Sequence, residues 1–193
     1  IYQKGVAFIP SQANMFSYIG NFSSLRNYIG SNCITALCKT TDKSRLIVGT
    51  DNDGIYLLDK NYNFLQHLSQ DENPDVPPTV MCLFEDSNKK VWIGSYLSGI
   101  SLFDSQTNRL SKISLQNNEG NEIKKVYSFV EDPHKRLWIG TMGTGLYYAD
   151  LPGSSDSYQH IKVHQVLSEK TINQWINTLL YIPDGRLYVG TYD

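Results

Sequence analysis

Two acidic pairs, Glu85-Asp86 and Glu131-Asp132, are the first residues of this 193-residue chain that could do chemistry. Neighbouring carboxylates can divide general-acid and general-base work between them. The pairs recur 46 residues apart, each directly before a polar turn, "DSNKK" or "DPHKR". An active site occurs once, whereas a turn recurs, so both pairs are expected to serve turn chemistry. The histidines His67, His134, His160 and His164 fall in different predicted strands or turns. His160 and His164 share a strand face but lie about 13 Å apart at roughly 3.3 Å per residue, too far for one metal. "DNDG" at Asp51 to Gly54 lacks the glutamate that a calcium loop needs. "GTMGTG" from Gly140 has the wrong glycine order for a dinucleotide loop and precedes no helix, and no G-x-S-x-G elbow occurs. Cys33, Cys38 and Cys82 are too irregularly spaced for a zinc site or a disulfide framework, and their apolar surroundings predict buried thiols. No catalytic residue, metal or cofactor is therefore expected.

Binding chemistry is better represented. Thirteen tyrosines are present, and Tyr96 and Tyr192 fall in predicted loops, where flat amphipathic rings can stack on sugar faces. Asp51, Asp53 and Met142 occupy corresponding loop positions, and carboxylates there can accept hydrogen bonds from hydroxyls. These five residues are the candidate ligand contacts. A formal net charge of −2 with scattered lysines and arginines gives no reason to expect nucleic acid. No apolar run approaches the roughly 20 residues needed to cross a bilayer. "IYQKGVAFIP" at the start lacks the plan of a signal peptide. Asn21-Phe22-Ser23 is a glycosylation acceptor, relevant only in a eukaryotic secretory host.

The elements that must carry these loops are repeated. Gly49, Gly94, Gly140 and Gly190 recur at intervals of 45, 46 and 50 residues, within "LIVGT", "VWIGS", "LWIGT" and "LYVGT". A second glycine follows the first three after five residues (Gly54, Gly99, Gly145), and an aspartate after five more (Asp59, Asp104, Asp150). Each copy opens with an alternating run and a polar turn, continues through the glycine strand to a third strand, and closes with a more polar fourth. Strand-like repeats of about 40 to 50 residues are the signature of propeller blades. The expected fold is all-β, a β-propeller fragment of four-stranded antiparallel blades, with three complete blades and two half blades. The blades span 33–69, 79–116 and 125–166. Residues 1–20 supply third and fourth strands, where Gly5 matches Gly54 and Pro10 replaces the aspartate, and residues 172–193 supply first and second strands. The first glycine of each copy should clear space for the next blade, and the second should take positive φ. Ile47, Trp92, Trp138 and Tyr188 share one position and should fill the wedge between sheets. The two half blades either pair with each other or are open cuts in a longer array. The cut is favoured because four blades are the low limit for closure, and open sheet faces predict self-association.

"LWIGT-x-x-x-GL-x-x-x-D" preceded by "V-x-S-F-x-ED" resembles the two-component regulator propeller repeat. The likeness is closest over Val126 to Asp150, good over Val80 to Asp104, and looser over Ile34 to Asp59, where "LIVGT" lacks the tryptophan. The resemblance implies a non-catalytic extracytoplasmic sensor region, periplasmic, from a Bacteroidetes-type hybrid histidine kinase. It further implies an oligosaccharide ligand and control of glycan-utilisation genes. No kinase domain lies in this stretch. A propeller scaffold for protein–protein contact is the alternative, and a propeller lyase or hydrolase comes last.

Overall fold

The computed structural model describes residues 6–8, 17–20, 22–23, 28–30, 33–117, 119–153, 158, 161–166 and 174–192. Gly5, Pro10, Asn21, His160 and Asp193 lie outside them. The chain divides into two compact units, residues 1–80 and 81–193.

The first unit holds a two-stranded sheet, β1 (Val6–Phe8) with β2 (Ser17–Ile19). It also holds a four-stranded antiparallel sheet in chain order: β3 (Ile34–Lys39), β4 (Arg45–Thr50), β5 (Ile55–Asp59) and β6 (Phe64–Leu68). Hydrophobicity decides the order of burial. β4 and β5 are apolar on both faces and lie inside, whereas the polar β6 forms the exposed edge. Leu46, Val48, Tyr56 and Leu58 pack with Ile19 and Ile29 on one side, and Ile47 on the other face of β4 is fully buried.

In the second unit two further sheets repeat this plan. One is β7 (Val80–Glu85), β8 (Lys90–Ser95), β9 (Ile100–Asp104) and β10 (Arg109–Ile113). The other is β11 (Val126–Glu131), β12 (Arg136–Thr141), β13 (Leu146–Asp150) and β14 (Val163–Gln165). A hairpin of β15 (Ile176–Tyr181) and β16 (Leu187–Thr191) follows. Trp92 on β8 is fully buried and meets Phe129 on β11 at a ring distance of 6.0 Å. Trp138 on β12 packs in the cluster of Ile176, Leu179 and Val189. Trp92 and Trp138 thus fill the space between one sheet and the next, and burying a ring of that size contributes about 3 kcal/mol, whereas Tyr188 at the same position is 49% exposed and fills no such wedge here.

The glycines explain how closely the sheets approach. A Cβ on Gly94 would fall 2.5 Å from Cys82 Sγ and 3.0 Å from a Val126 methyl, and one on Gly140 would fall 2.7 Å from an Ile176 methyl. Neither position has room for a side chain. Gly54, Gly99 and Gly145 take φ of 68°, 79° and 89°, as the re-entry turn requires. The expectation for the cysteines needs correction. None of the three is in a disulfide and all are only half-buried: Cys38 and Cys82 lie on β3 and β7, which are partly exposed along most of their length, and Cys33 directly precedes β3.

Candidate functional site

The acidic pairs act in turns, and they do more. Asp86 Oδ1 accepts the Asn88 and Lys90 backbone N–H groups at 2.9 Å. Its Oδ2 accepts Trp92 Nε1–H at 2.9 Å and the Tyr158 hydroxyl at 2.8 Å. Asp132 repeats the pattern: Oδ1 takes His134 and Arg136 N–H, and Oδ2 takes Trp138 Nε1–H at 3.0 Å. Burial by itself would raise the Asp132 pKa. Hydrogen bonds from Trp138, Arg136 and His134 overcome that and hold its carboxyl below the usual aspartate value. Glu131 reaches back to the preceding turn and accepts both the Ser87 N–H and the Ser87 hydroxyl at 2.6 Å. These carboxylates are committed to holding turns, tryptophans and neighbouring sheets together.

The five loop candidates divide between the two units. In the first, Asp53 is half-buried and occupied: its Oδ2 accepts the Tyr56 hydroxyl at 2.6 Å, and its Oδ1 lies 3.3 Å from His67 Nε2. The His67 ring stacks on Tyr56 at 4.1 Å. Asp51 is exposed and accepts the Thr79 hydroxyl at 3.2 Å. A polar hollow of about 160 Å³ beside them is lined by Asn52, Asp53, Ser69 and Asp71 among others.

In the second unit Tyr96, Met142 and Tyr192 are linked in sequence along one set of loops. Lys125 Nζ sits 5.9 Å over the exposed Tyr96 ring, and the Lys125 carbonyl accepts the Met142 N–H at 2.9 Å. Met142 forms an antiparallel bridge with Trp175, whose carbonyl accepts the Tyr192 N–H at 3.0 Å. The Trp175 and Tyr192 rings lie 6.1 Å apart, 44% and 61% exposed. Beside this aromatic pair opens a cleft of about 360 Å³. Asn117, Glu119, Asn121 and Glu122 line it from the β10–β11 loop, Gly143 and Thr144 from the β12–β13 loop, and Gln165 and Gln174 from β14 and the approach to β15. The buried Tyr147 ring also lines it.

Local chemistry shapes each wall. Asn117 Oδ1 caps its own turn by accepting the Glu119 and Asn121 N–H groups, and Gly120 supplies a φ of 81°. The Gln174 carbonyl accepts the N–H groups of Gly143 and Gly145, and Gln165 Nε2–H reaches the Thr144 carbonyl at 3.2 Å. Among the described residues no cluster of three His, Cys, Asp or Glu could hold a metal. The cleft offers amides, carboxylates and a hydroxyl for hydrogen bonding, next to flat rings for stacking.

Met142 directly precedes the lining residue Gly143, and Tyr192 is joined to Trp175, which directly follows the lining residue Gln174; neither Met142 nor Tyr192 is itself part of the lining. Tyr96 lies one loop away from it, across Lys125. Sequence reasoning missed Trp175, Gln174 and the Asn117–Glu122 turn. A signal for Trp175 existed. The residue directly before three of the four first strands (Cys33, Lys125, Trp175) accepts the N–H of the residue that follows the second strand (Asp51, Met142, Tyr192). An aromatic at that position is therefore set beside a loop candidate.

The sequence matches the two component regulator propeller family over residues 76–97 and 123–143. No curated protein matches it. Among solved structures, the extracellular domain of a protein described as a hybrid two component system from B. thetaiotaomicron superposes with a TM-score of 0.72 at 21% identity. That match covers 93% of this chain and 23% of the other. A second extracellular domain from the same organism, described as belonging to a one component system, gives 0.67 at 20% identity over 82% of this chain and 22% of that one. PorZ, a surface component of the type-IX secretion system of Porphyromonas gingivalis, gives 0.69 at 16% identity over 98% and 29%. The chain thus spans less than a third of the length of each. Residues 76–97 and 123–143 are two component regulator propeller repeats, set in a β-propeller fold.

Proposed function

We propose that this chain is part of the extracytoplasmic, periplasmic sensor region of a hybrid two-component histidine kinase, and that it binds an oligosaccharide. One observation carries the ligand reading: a polar cleft lined by six amide or carboxylate side chains, with the exposed Trp175–Tyr192 pair beside it. Sugars present hydroxyls for the first and apolar ring faces for the second. The repeats and the extracellular two-component relatives support the sensor role. In the intact protein the sheets form blades of a larger ring, at 33–69, 79–116 and 125–166 with half blades at 1–20 and 172–193. Binding there shifts the signalling equilibrium only through unequal affinity for its two states, and the output is control of glycan-utilisation genes. Calorimetry against a panel of neutral and acidic oligosaccharides tests the reading. Heat is expected with at least one sugar and should weaken about tenfold in Trp175→Ala, since loss of a stacking ring costs about 1.4 kcal/mol. Heat with no sugar, but with a protein partner, overturns it in favour of a scaffold.

A second observation favours self-association through open blade faces. Leu180 and Tyr188 are cross-strand partners in the β15–β16 hairpin and are 58% and 49% exposed. Tyr188 occupies the position of Trp92, which is fully buried. Light scattering at high concentration should give a mass above that of one chain, reduced in Leu180→Ser. A clean monomer throughout rejects this contact.

A further inference from the structure

Resting on the self-association reading, we propose that the open face of the β15–β16 hairpin docks on the β3 face of a second copy of this chain, Tyr188 and Leu180 of one copy meeting Leu37 of the other. Contacts inside the second unit supply the template. Each sheet there offers the next a glycine and an aromatic on its second strand, and the next sheet answers with two residues of its first strand. Val126 crowds Gly94 and Phe129 meets Trp92; Ile176 crowds Gly140 and Leu179 joins the cluster of Trp138. The hairpin presents the same surface once more, with Gly190 and Tyr188 on β16 and Leu180 paired to Tyr188. Here both Leu180 and Tyr188 stay exposed, and among the described residues the three atoms closest to a Cβ on Gly190 all belong to Thr178 of the hairpin itself.

The complement to this surface lies in the first unit. Ile34 and Leu37 on β3 hold the places of Val126 and Phe129 on β11: Ile34 pairs with Thr50 as Val126 pairs with Thr141, and Leu37 with Val48 as Phe129 with Ile139. Phe129 and Leu179 are 8% and 9% exposed, but Leu37 is 48% exposed. Ile19 and Ile29 pack with its partner Val48, yet leave Leu37 open. Charge matches as well. Glu131, at the end of β11, reaches back to the preceding turn and accepts the Ser87 N–H. In the hairpin turn Pro183, which has no N–H, holds the place of Ser87 and is followed by the exposed Asp184, while β3 ends on an exposed Lys39 in the place of Glu131. A lysine thus meets a carboxylate where a glutamate would find no backbone donor. The two faces differ, so the contact is heterologous, and every copy carries one face of each kind.

The test is light scattering on the full 193-residue chain and on its Leu37→Asp and Leu180→Asp variants, each alone and then mixed in equal amounts. Both substitutions fall at exposed positions, and thermal unfolding checks that the variants are folded; Leu37→Ser and Leu180→Ser replace either one that is not. Each variant alone is expected to associate at least about tenfold more weakly than the parent, because docking would bury an unpaired carboxylate. The mixture is expected to form a species of two chains, since each variant still carries the face that the other has lost. Association of Leu37→Asp as tight as the parent's shows that β3 is not the docking face, which overturns the inference and leaves self-association standing. A mixture as weak as its components shows that the two faces are not each other's partners, and overturns it equally. A parent chain that stays monomeric at every concentration rejects self-association itself, and the inference with it.

Discussion

The sheets at 80–113 and 126–165 carry the same clasp, an aspartate closing the first strand and a tryptophan six residues later, yet they spend it differently. In the earlier sheet Asp86 and Trp92 are both buried, and Tyr158 adds a second donor to the same carboxylate oxygen. The later sheet sets Asp132 beneath the half-exposed Trp138, with the Arg136 Nε–H at 2.7 Å in the place of the tyrosine. Arg136 also lies 5.4 Å over the Trp138 ring. One clasp is sealed under a neighbouring four-stranded sheet, the other under a two-stranded hairpin. The lesson is that a repeated motif fixes local bonds but not their energetic weight, which depends on whether water can replace them.

The largest effect should therefore come from Asp86→Ala. It strands the Trp92 indole N–H and the Tyr158 hydroxyl in a dry site, and should cost about 3 kcal/mol or more in urea unfolding. Asp132→Ala should cost about half as much, because Trp138 and Arg136 can turn to water. Equal losses in the two variants would break the comparison.

The glycines sharpen it. Gly94→Ala forces the Cys82 thiol and Val126 apart within the larger core cluster and should cost about 2 kcal/mol. Gly140→Ala pushes on the buried Ser128 hydroxyl of its own sheet and on the fully buried Ile176 of the hairpin, so its cost by thermal unfolding should be of similar size, in contrast to the unequal costs of the two aspartate variants.

A pH series separates charge from geometry at Asp132. Its folded pKa is depressed, so the ionised carboxylate contributes stability that is present above the unfolded value of about 3.9 and is lost as pH falls below it. The stability difference between the parent chain and Asp132→Asn should accordingly shrink between pH 6 and pH 3. A difference constant over that range would mean that the bonds matter and the charge does not.

The smallest effect concerns the turns themselves. Lys89 and Lys135 sit at φ of 64° and 60°, where the third turn of this kind has Gly185 at 93°. Lys89→Gly should stabilise by about 0.5 kcal/mol by relieving left-handed strain. Lys135→Gly should gain less, because Lys135 Nζ–H donates to the Ser87 hydroxyl at 3.0 Å.

Much of the architecture was legible in the residues because it is local. A glycine with φ of 68° at Gly54, or an aspartate whose Oδ1 caps the next turn, depends on a few neighbours along the chain. The wedge position of Trp92 and Trp138 followed from recurrence alone. Asp53 shows the limit. Its loop position suggested a ligand contact, but His67 and Tyr56 arrive from two strands to claim its carboxylate. The cleft was illegible for a related reason. Its walls come from segments near 117–123, 143–144, 147, 165 and 174, and no local pattern marks "NNEGNE" as facing a glutamine some fifty residues away.

By itself the sequence determined the repeat, the strands and the turns, since hydrophobic alternation and glycine placement act within one blade. Only the tertiary structure decided which carboxylates are spent on the fold and which face open space. Side-chain partners arrive across sheets, and the free energy of a polar group is set by what replaces its water.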